Sequence, residues 1–275
     1  MKSVRYALEG FGLLILFCVF RCLPWRVASG FGGWIGRVVG ARLAASRKAK
    51  RNLEAALPDI DADDVICGMW DNLGRVVAEY PHLKTIAAEH TVIEGGEHIK
   101  DGDRCLFIAA HLGNWELNCI APMLQRDLQI DITYRAPNNP FVDRMLMRMR
   151  SQGGRLRAHA KSREGGMSLL KAIKAGRHVG ILIDQKYNEG VDVPFFGREA
   201  MTNPIFVQLA KKHGLKLIPV QNIRLEDGSF KLIVNPAMDL DKPLEDVIAD
   251  AHGLLEGWIS ERPEQWLWLH RRWKD

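Results

Sequence analysis

The stretch RCLFIAAHLGNWELN, residues 104–118, holds an imidazole and a carboxylate five positions apart, His111 and Glu116. Such a pair can do general-base chemistry: the carboxylate fixes the imidazole in one tautomer, and the free ring nitrogen takes a proton from a hydroxyl. The interval alone discriminates nothing, because it recurs at His98 and Asp103, His159 and Glu164, and His270 and Asp275. Context separates the four. Only His111 follows a buried-strand run, CLFIAA, and only there does Asn114 come next as a residue suited to opening a new helix. Along one continuous helix a five-residue offset puts two side chains about 140° apart. With His111 in the strand-to-helix turn and Glu116 in the first helical turn, they can converge, and the helix N-terminus favours a charged carboxylate. The backbone N–H groups of Gly113, Asn114 and Trp115 are candidate donors to an oxyanion at the same place. The alternative is a capped helix whose histidine merely packs.

The elements that must position this pair follow from hydrophobic periodicity. Strand-length apolar runs fall at Cys105–Ala110, Ile130–Tyr134, Val179–Ile183, Lys216–Gln221 and Phe230–Val234. Helix-length amphipathic segments lie near Trp115–Gln125, Pro140–Ser151, Gly165–Ala175, Pro204–His213 and Leu244–Arg262, and a helical pattern runs from Leu53 to about Thr91 with Pro81 ending it. This alternation predicts an α/β fold, a single largely parallel sheet flanked by helices, over residues 52–275. Ligands meet such sheets at the carboxyl ends of strands. That places Arg135, directly after Tyr134, at the oxyanion or on an acceptor phosphate, with a surface ion pair as the plain alternative. It places Asp184 and Gln185, which close Val179–Ile183, beside the site.

Composition bounds the class. At 275 residues and 47% hydrophobic content the chain can build one large core with an appendage. The net charge of +5 hides an asymmetry: residues 1–51 carry ten basic side chains against Glu9 alone, leaving the rest mildly acidic. A basic head suggests an anionic membrane surface, and no nucleic-acid fold signal accompanies it. Gly10–Phe20 is a run of eleven uncharged residues, roughly 16 Å as a helix and short of a bilayer core of about 30 Å. A signal peptide would share Met1-Lys2 and the apolar run, but Arg21, Pro24, Trp25 and Arg26 stand where a cleavage site belongs. Gly32, Gly36 and Gly40 recur every four residues, one helix face for close approach or a chance pattern. Residues 1–51 therefore read as membrane-associated helices, one dipping into the bilayer and one at its surface. Five cysteines without metal spacing read as reduced thiols. The sequence lacks a G-x-S-x-G elbow, an H-E-x-x-H helix and a Walker loop, so the expectation is no metal and no bound cofactor.

HLGNWE, together with TYRAPNNPFVDRML, GILIDQ, VPFFGREAMT and the tail PEQWLWLHRRWK, resembles the bacterial lipid A biosynthesis acyltransferases, the lauroyl/myristoyl group within the lysophospholipid acyltransferase superfamily. The resemblance covers most of the chain. It implies transfer of a fatty acyl group from acyl carrier protein to a hydroxyl of a membrane glycolipid, a lipid A precursor, at the cytoplasmic face of a bacterial inner membrane. It assigns His111 as base, Glu116 as its orienting partner, and Asp184, Gln185 and Thr202 to holding the site or the acceptor sugar. Phe195 and Phe196 are better read as core packing. The tail tryptophans, among basic residues, read as a membrane-facing or core-sealing segment. Rival expectations are an acyltransferase for another glycolipid or aminolipid using acyl-CoA, a non-catalytic membrane tether, and a soluble hydrolase.

Overall fold

The computed structural model describes residues 2–270, 272 and 273. In chain order the helices are α1 (Lys2–Cys22), α2 (Trp25–Ile35), α3 (Ala44–Ala56), α4 (Ala62–Glu79), α5 (Leu83–Glu89), α6 (Leu117–Arg126), α7 (Pro140–Arg150), α8 (Arg163–Lys174), α9 (Ile205–His213) and α10 (Leu244–Glu261). The strands are β1 (Thr91–Glu94), β2 (Cys105–Ala109), β3 (Ile130–Tyr134), β4 (Arg157–Ala160), β5 (His178–Leu182), β6 (Val191–Phe195), β7 (Arg198–Thr202), β8 (Lys216–Arg224) and β9 (Phe230–Val234). Side-chain caps fix several helix starts. Asp61 accepts from the Asp63 and Asp64 amides ahead of α4, Asn139 from Phe141 and Val142 with Pro140 in the first turn of α7, and Ser162 from Gly165 in α8.

Seven strands form one sheet in the order β1-β9-β8-β2-β5-β3-β4. The five from β8 to β4 are parallel, and β9 pairs antiparallel with β8, so β1 and β9 run against the others. The largely parallel sheet is as expected; the reversed edge is a hairpin that the apolar run 230–234 does not announce. Leu106 and Ile108 of β2 point into a core shared with α8, α9, α10 and the chain's tail. Cys105 and Phe107 point to the other face, against Ile130, Ile218, Val220 and Val234. Four further strands have no counterpart in the sequence reading. β1 and β4 are four-residue strands at the sheet's two edges, too short for periodicity to register. β6 and β7 make a separate hairpin whose two-residue loop, Phe196-Gly197, has positive φ at both positions, as the right-handed strand twist prefers.

The N-terminal segment differs from expectation in length and in docking. The first helix continues through Lys2–Glu9 to a total of 21 residues and is long and apolar enough to cross a membrane. Gly10, Phe17 and Phe20 form its buried side, while Val4, Leu8, Phe11, Leu14, Ile15 and Val19 are exposed. Phe17, Phe20 and Ala28 share a core with Val76, Tyr80 and Leu83 of the body, and the boundary expected at residue 51 falls inside α3. The four-residue glycine spacing is a contact face. A Cβ on Gly32 would stand 2.5 Å from the Gly74 carbonyl oxygen of α4, and one on Gly36 would meet the Trp70 carbonyl. The two backbones touch directly. Pro81 sits in a 3₁₀ turn, Tyr80–His82, between α4 and α5.

Replacing Gly36 by valine should therefore force α2 off α4 and cost about 1–3 kcal/mol, the usual penalty for overpacking, read as a lowered melting temperature. Gly12→Ala, on α1 where a Cβ meets nothing within 4 Å, should leave the melting temperature unchanged or slightly raised. Equal effects from both substitutions would contradict the close-packed interface.

Candidate active site

Register brings His111 and Asp184 together. β2 and β5 are adjacent and parallel with Ala109 opposite Leu182, so two residues further on His111 stands across from Asp184 at the carboxyl edge of the sheet. Asp184 Oδ1 lies 2.8 Å from His111 Nδ1, and Oδ2 accepts from the His111 backbone N–H at 2.8 Å and from the Trp266 indole N–H at 2.8 Å. The carboxylate is 1% exposed. Burial pushes its pKa up, but the charge on His111 and the three hydrogen bonds outweigh burial, and the net result lies well below the ordinary carboxylate range.

Proton positions follow from these partners. An ionised carboxylate only accepts, so His111 Nδ1 carries a hydrogen and donates it to Asp184, while Nε2 faces Gln185. The Gln185 amide nitrogen lies 3.2 Å from His111 Nε2 and 3.0 Å from His270 Nε2, one hydrogen for each ring. His270, whose ring centroid is 5.3 Å from that of His111, is pushed down to about 4 by burial and by the charges of His111, Lys48 and Lys161, against Asp184. It is neutral at pH 7. His270 and Trp266 are site residues that the sequence reading leaves out of the site. Their only signal is the tail block PEQWLWLH.

Glu116 is not the carboxylate on His111. It is engaged with Arg150, whose Nε and Nη2 donate to it at 2.6 Å each, and with the Tyr80 hydroxyl at 2.6 Å. α6 begins at Leu117, with Asn114 Oδ1 accepting from the Glu116 amide at 3.2 Å, so the turn sends Glu116 toward α4 and α7. Its link to His111 runs through Trp115: the indole N–H donates to Glu116 at 3.1 Å, and the ring packs edge-on to His111 at 5.2 Å.

Two of the three expected oxyanion donors, the Gly113 and Asn114 amides, are also spent. The Gly113 amide donates to the Gln265 carbonyl at 3.1 Å, and the Asn114 amide to Asn222 Oδ1 at 3.3 Å. The chain's tail pairs with this turn, Leu112 bridging Trp266. A buried polar network locks it further. Asn72 donates to the Gly113 and Gln265 carbonyls, Asn114 Nδ2 donates to Glu79 at 2.8 Å, and Glu79 is ion-paired with Arg224. Thr202, expected at the substrate, is 1% exposed and bonded to Arg272 at 2.7 Å. Its hydroxyl anchors the tail. Phe195 is fully buried in the core, and Trp266, Trp268 and Trp273 all spend their indole N–H groups inside the protein, so the tail seals the core. Arg271 and Lys274, part of the same expected segment, lie outside the described residues.

Arg135 is exposed at the end of β3 and makes no ion pair among the described residues; its charge bears on Lys161 at the end of neighbouring β4. Lys161 lines a groove of about 430 Å³ on the same edge of the sheet. Leu169, Ile181, Ile183, Phe206 and Leu209 line its apolar part, and it reaches Gln185.

Comparison with known proteins was made against this geometry. The family model described as bacterial lipid A biosynthesis acyltransferase matches residues 1–275. The lipid A biosynthesis lauroyltransferase of Escherichia coli (strain K12) is 29% identical over 295 residues, covering 98% of this chain and 92% of that protein. The lipid A biosynthesis palmitoleoyltransferase of the same organism is 27% identical over 298 residues, with the same coverage of 98% and 92%. Among solved structures, the 1-acyl-sn-glycerophosphate (LPA) acyltransferase PlsC from Thermotoga maritima aligns over 96% of this chain and 98% of that one, at 12% identity and a TM-score of 0.40.

The buried histidines set a pH dependence of stability. His252 is pushed down to about 4 by burial and by Arg272, as His270 is by its own surroundings, against an ordinary 6.5. A depressed histidine is neutral in the fold while the unfolded chain still takes up the proton. Its contribution is therefore whole above pH 6.5 and is lost as pH falls toward 4. Asp184 adds its own loss only below 3.8. The melting temperature should fall by several degrees between pH 6.5 and about 4, and less steeply in His252→Gln. A flat profile in the wild-type protein would refute the neutral assignments.

Proposed function

The chain belongs to the family of bacterial lipid A biosynthesis acyltransferases, and from that premise we propose that it moves a fatty acyl group from the thioester of acyl carrier protein to a hydroxyl of a lipid A precursor, at the cytoplasmic face of the inner membrane. The observation that carries the reading is the His111 imidazole with Nδ1 held by a buried carboxylate, so that Nε2 is the nitrogen turned away from it, at the end of an apolar groove. Nε2 takes the proton as the acceptor oxygen attacks the thioester carbonyl. The tetrahedral intermediate then expels the thiolate, which recovers the proton from the imidazolium. No covalent acyl-enzyme is needed, because a thioester is already activated. Gln185, bonded to Nε2, occupies the position the acceptor hydroxyl takes, and its amide can turn to hold that hydroxyl. Asp184 is the positioning carboxylate. Glu116, with Arg150 and Tyr80, steadies Trp115 against the imidazole. The chain's exposed apolar face on α1 and α2, with Trp34 half-exposed, fits a bilayer surface from which the acceptor is drawn.

The test is mass spectrometry of the envelope glycolipids of a deletion strain complemented with wild type or variants, together with turnover in vitro. His111→Ala and Asp184→Asn should each lower kcat by ~10²–10⁴, the range for general-base help and for loss of the carboxylate that sets the tautomer. Glu116→Gln should lose less than Asp184→Asn. The opposite order would overturn the Asp184 assignment. Acylation unchanged in the His111→Ala strain would end the enzymatic reading.

A further inference from the structure

We propose that the exposed face of α8 is the docking surface for the acidic protein that carries the acyl thioester; this rests on the carrier-protein donor of the reading above. Arg163, Met167, Leu170, Lys171 and Lys174 recur at helical spacing along one side of α8, within an arc of about 100°. Leu169, Ala172 and Ile173 are buried on the other side. Met167 is 54% and Leu170 37% exposed, so two large apolar side chains stand in water ringed by three cations. None of those cations forms an ion pair among the described residues. The charge is local. Residues 155–177 carry seven basic side chains against Glu164 alone, in a body whose acidic residues otherwise outnumber its basic ones.

An apolar spot inside a cationic ring is the anatomy of a protein interface whose partner is acidic, with charge governing encounter and the apolar centre holding the complex. A bilayer is the weaker occupant. The exposed apolar residues that fit lipid sit on α1 and α2, whereas α8 packs on β3, β4 and β5. Position supplies the rest. Gly165, Gly166 and Leu169 of the same helix form a wall of the groove that reaches Gln185 and so His111. A carrier seated on α8 therefore feeds its flexible thioester arm into that groove.

The experiment compares one acyl chain presented on carrier protein and on free pantetheine, which has neither the protein nor its charge. The Arg163→Glu, Lys171→Glu, Lys174→Glu triple variant, its fold checked by circular dichroism, should lose about tenfold or more in kcat/KM with the carrier-linked donor, mostly through KM, and the loss should shrink as salt rises. Turnover of the pantetheine thioester should stay within about twofold of wild type, and sedimentation with anionic vesicles should be unchanged. Equal losses with both donors, or none with the carrier, would overturn the docking face. So would lost vesicle binding alongside intact carrier kinetics. A wild-type enzyme that uses the pantetheine thioester but not the carrier-linked one would overturn the donor reading and the docking surface with it. Wild-type use of the carrier with an unimpaired variant overturns the docking surface alone.

Discussion

A single buried carboxylate organises the site. Asp184 holds three donors, the ring and the backbone amide of His111 and the indole of Trp266, and they come from two separate constraints. The ring and amide arrive because β2 and β5 are neighbours in register. The indole arrives because the tail returns across the sheet's carboxyl edge and bridges Leu112. A charge in so dry a place is tolerated only when its hydrogen-bonding capacity is filled. The arrangement therefore holds the His111 ring in one orientation, with Nε2 turned toward Gln185.

The turn that carries His111 is held from beneath by groups far apart in sequence. Glu79 of α4 pairs with Arg224 of β8, bonds Asn114 at 2.8 Å and accepts from Ser29 of α2 at 2.6 Å. Removing one member of a buried pair typically costs about 3–5 kcal/mol, because the other charge is then stranded. The apolar N-terminal helices and the catalytic turn thus belong to one construction. α2 is pressed on α4 by glycine-to-glycine contact, and α4 presents Asn72 and Glu79 to the Gly113–Asn114 backbone. Close approach of α2 to α4 and precise placement of the turn have the same cause.

What the sequence discloses depends on the range of the physics involved. β2, β5 and β8 are legible because burial on both faces writes a near-continuous apolar run, and β3 and β9 because their apolar residues alternate with half-buried ones or lead into them. His111 was legible because a strand end followed by a capping asparagine is local. Its partner was not, since sequence offers only nearby acids and nominates Glu116. That Asp184 stands opposite requires knowing that β5, not β3, lies beside β2. Asp184 and Gln185 entered the site by strand-end placement and by family resemblance, without a stated contact. The edge strands β1 and β4 carry too few residues for a period. The length of α1 was underestimated because charged residues at its start were read as an end, although in a helix emerging at a surface they simply point outward.

Charge accounting explains why a second imidazole sits so close. In the resting site Asp184 is negative and His270 is neutral, held so by burial and by neighbouring cations. In the proposed mechanism His111 becomes the counter-ion of Asp184 on taking the hydroxyl proton, and the buried net charge falls to zero as negative charge moves onto the attacking oxygen. A charged His270 at 5.3 Å would oppose that step, since like charges in a poorly solvated site repel strongly. Its neutrality makes it an acceptor for Gln185 instead. Glu116 and Arg150 cancel one another nearby, so they contribute shape around Trp115 without biasing the proton. The anionic group in contact with the His111 ring is the carboxylate that holds Nδ1.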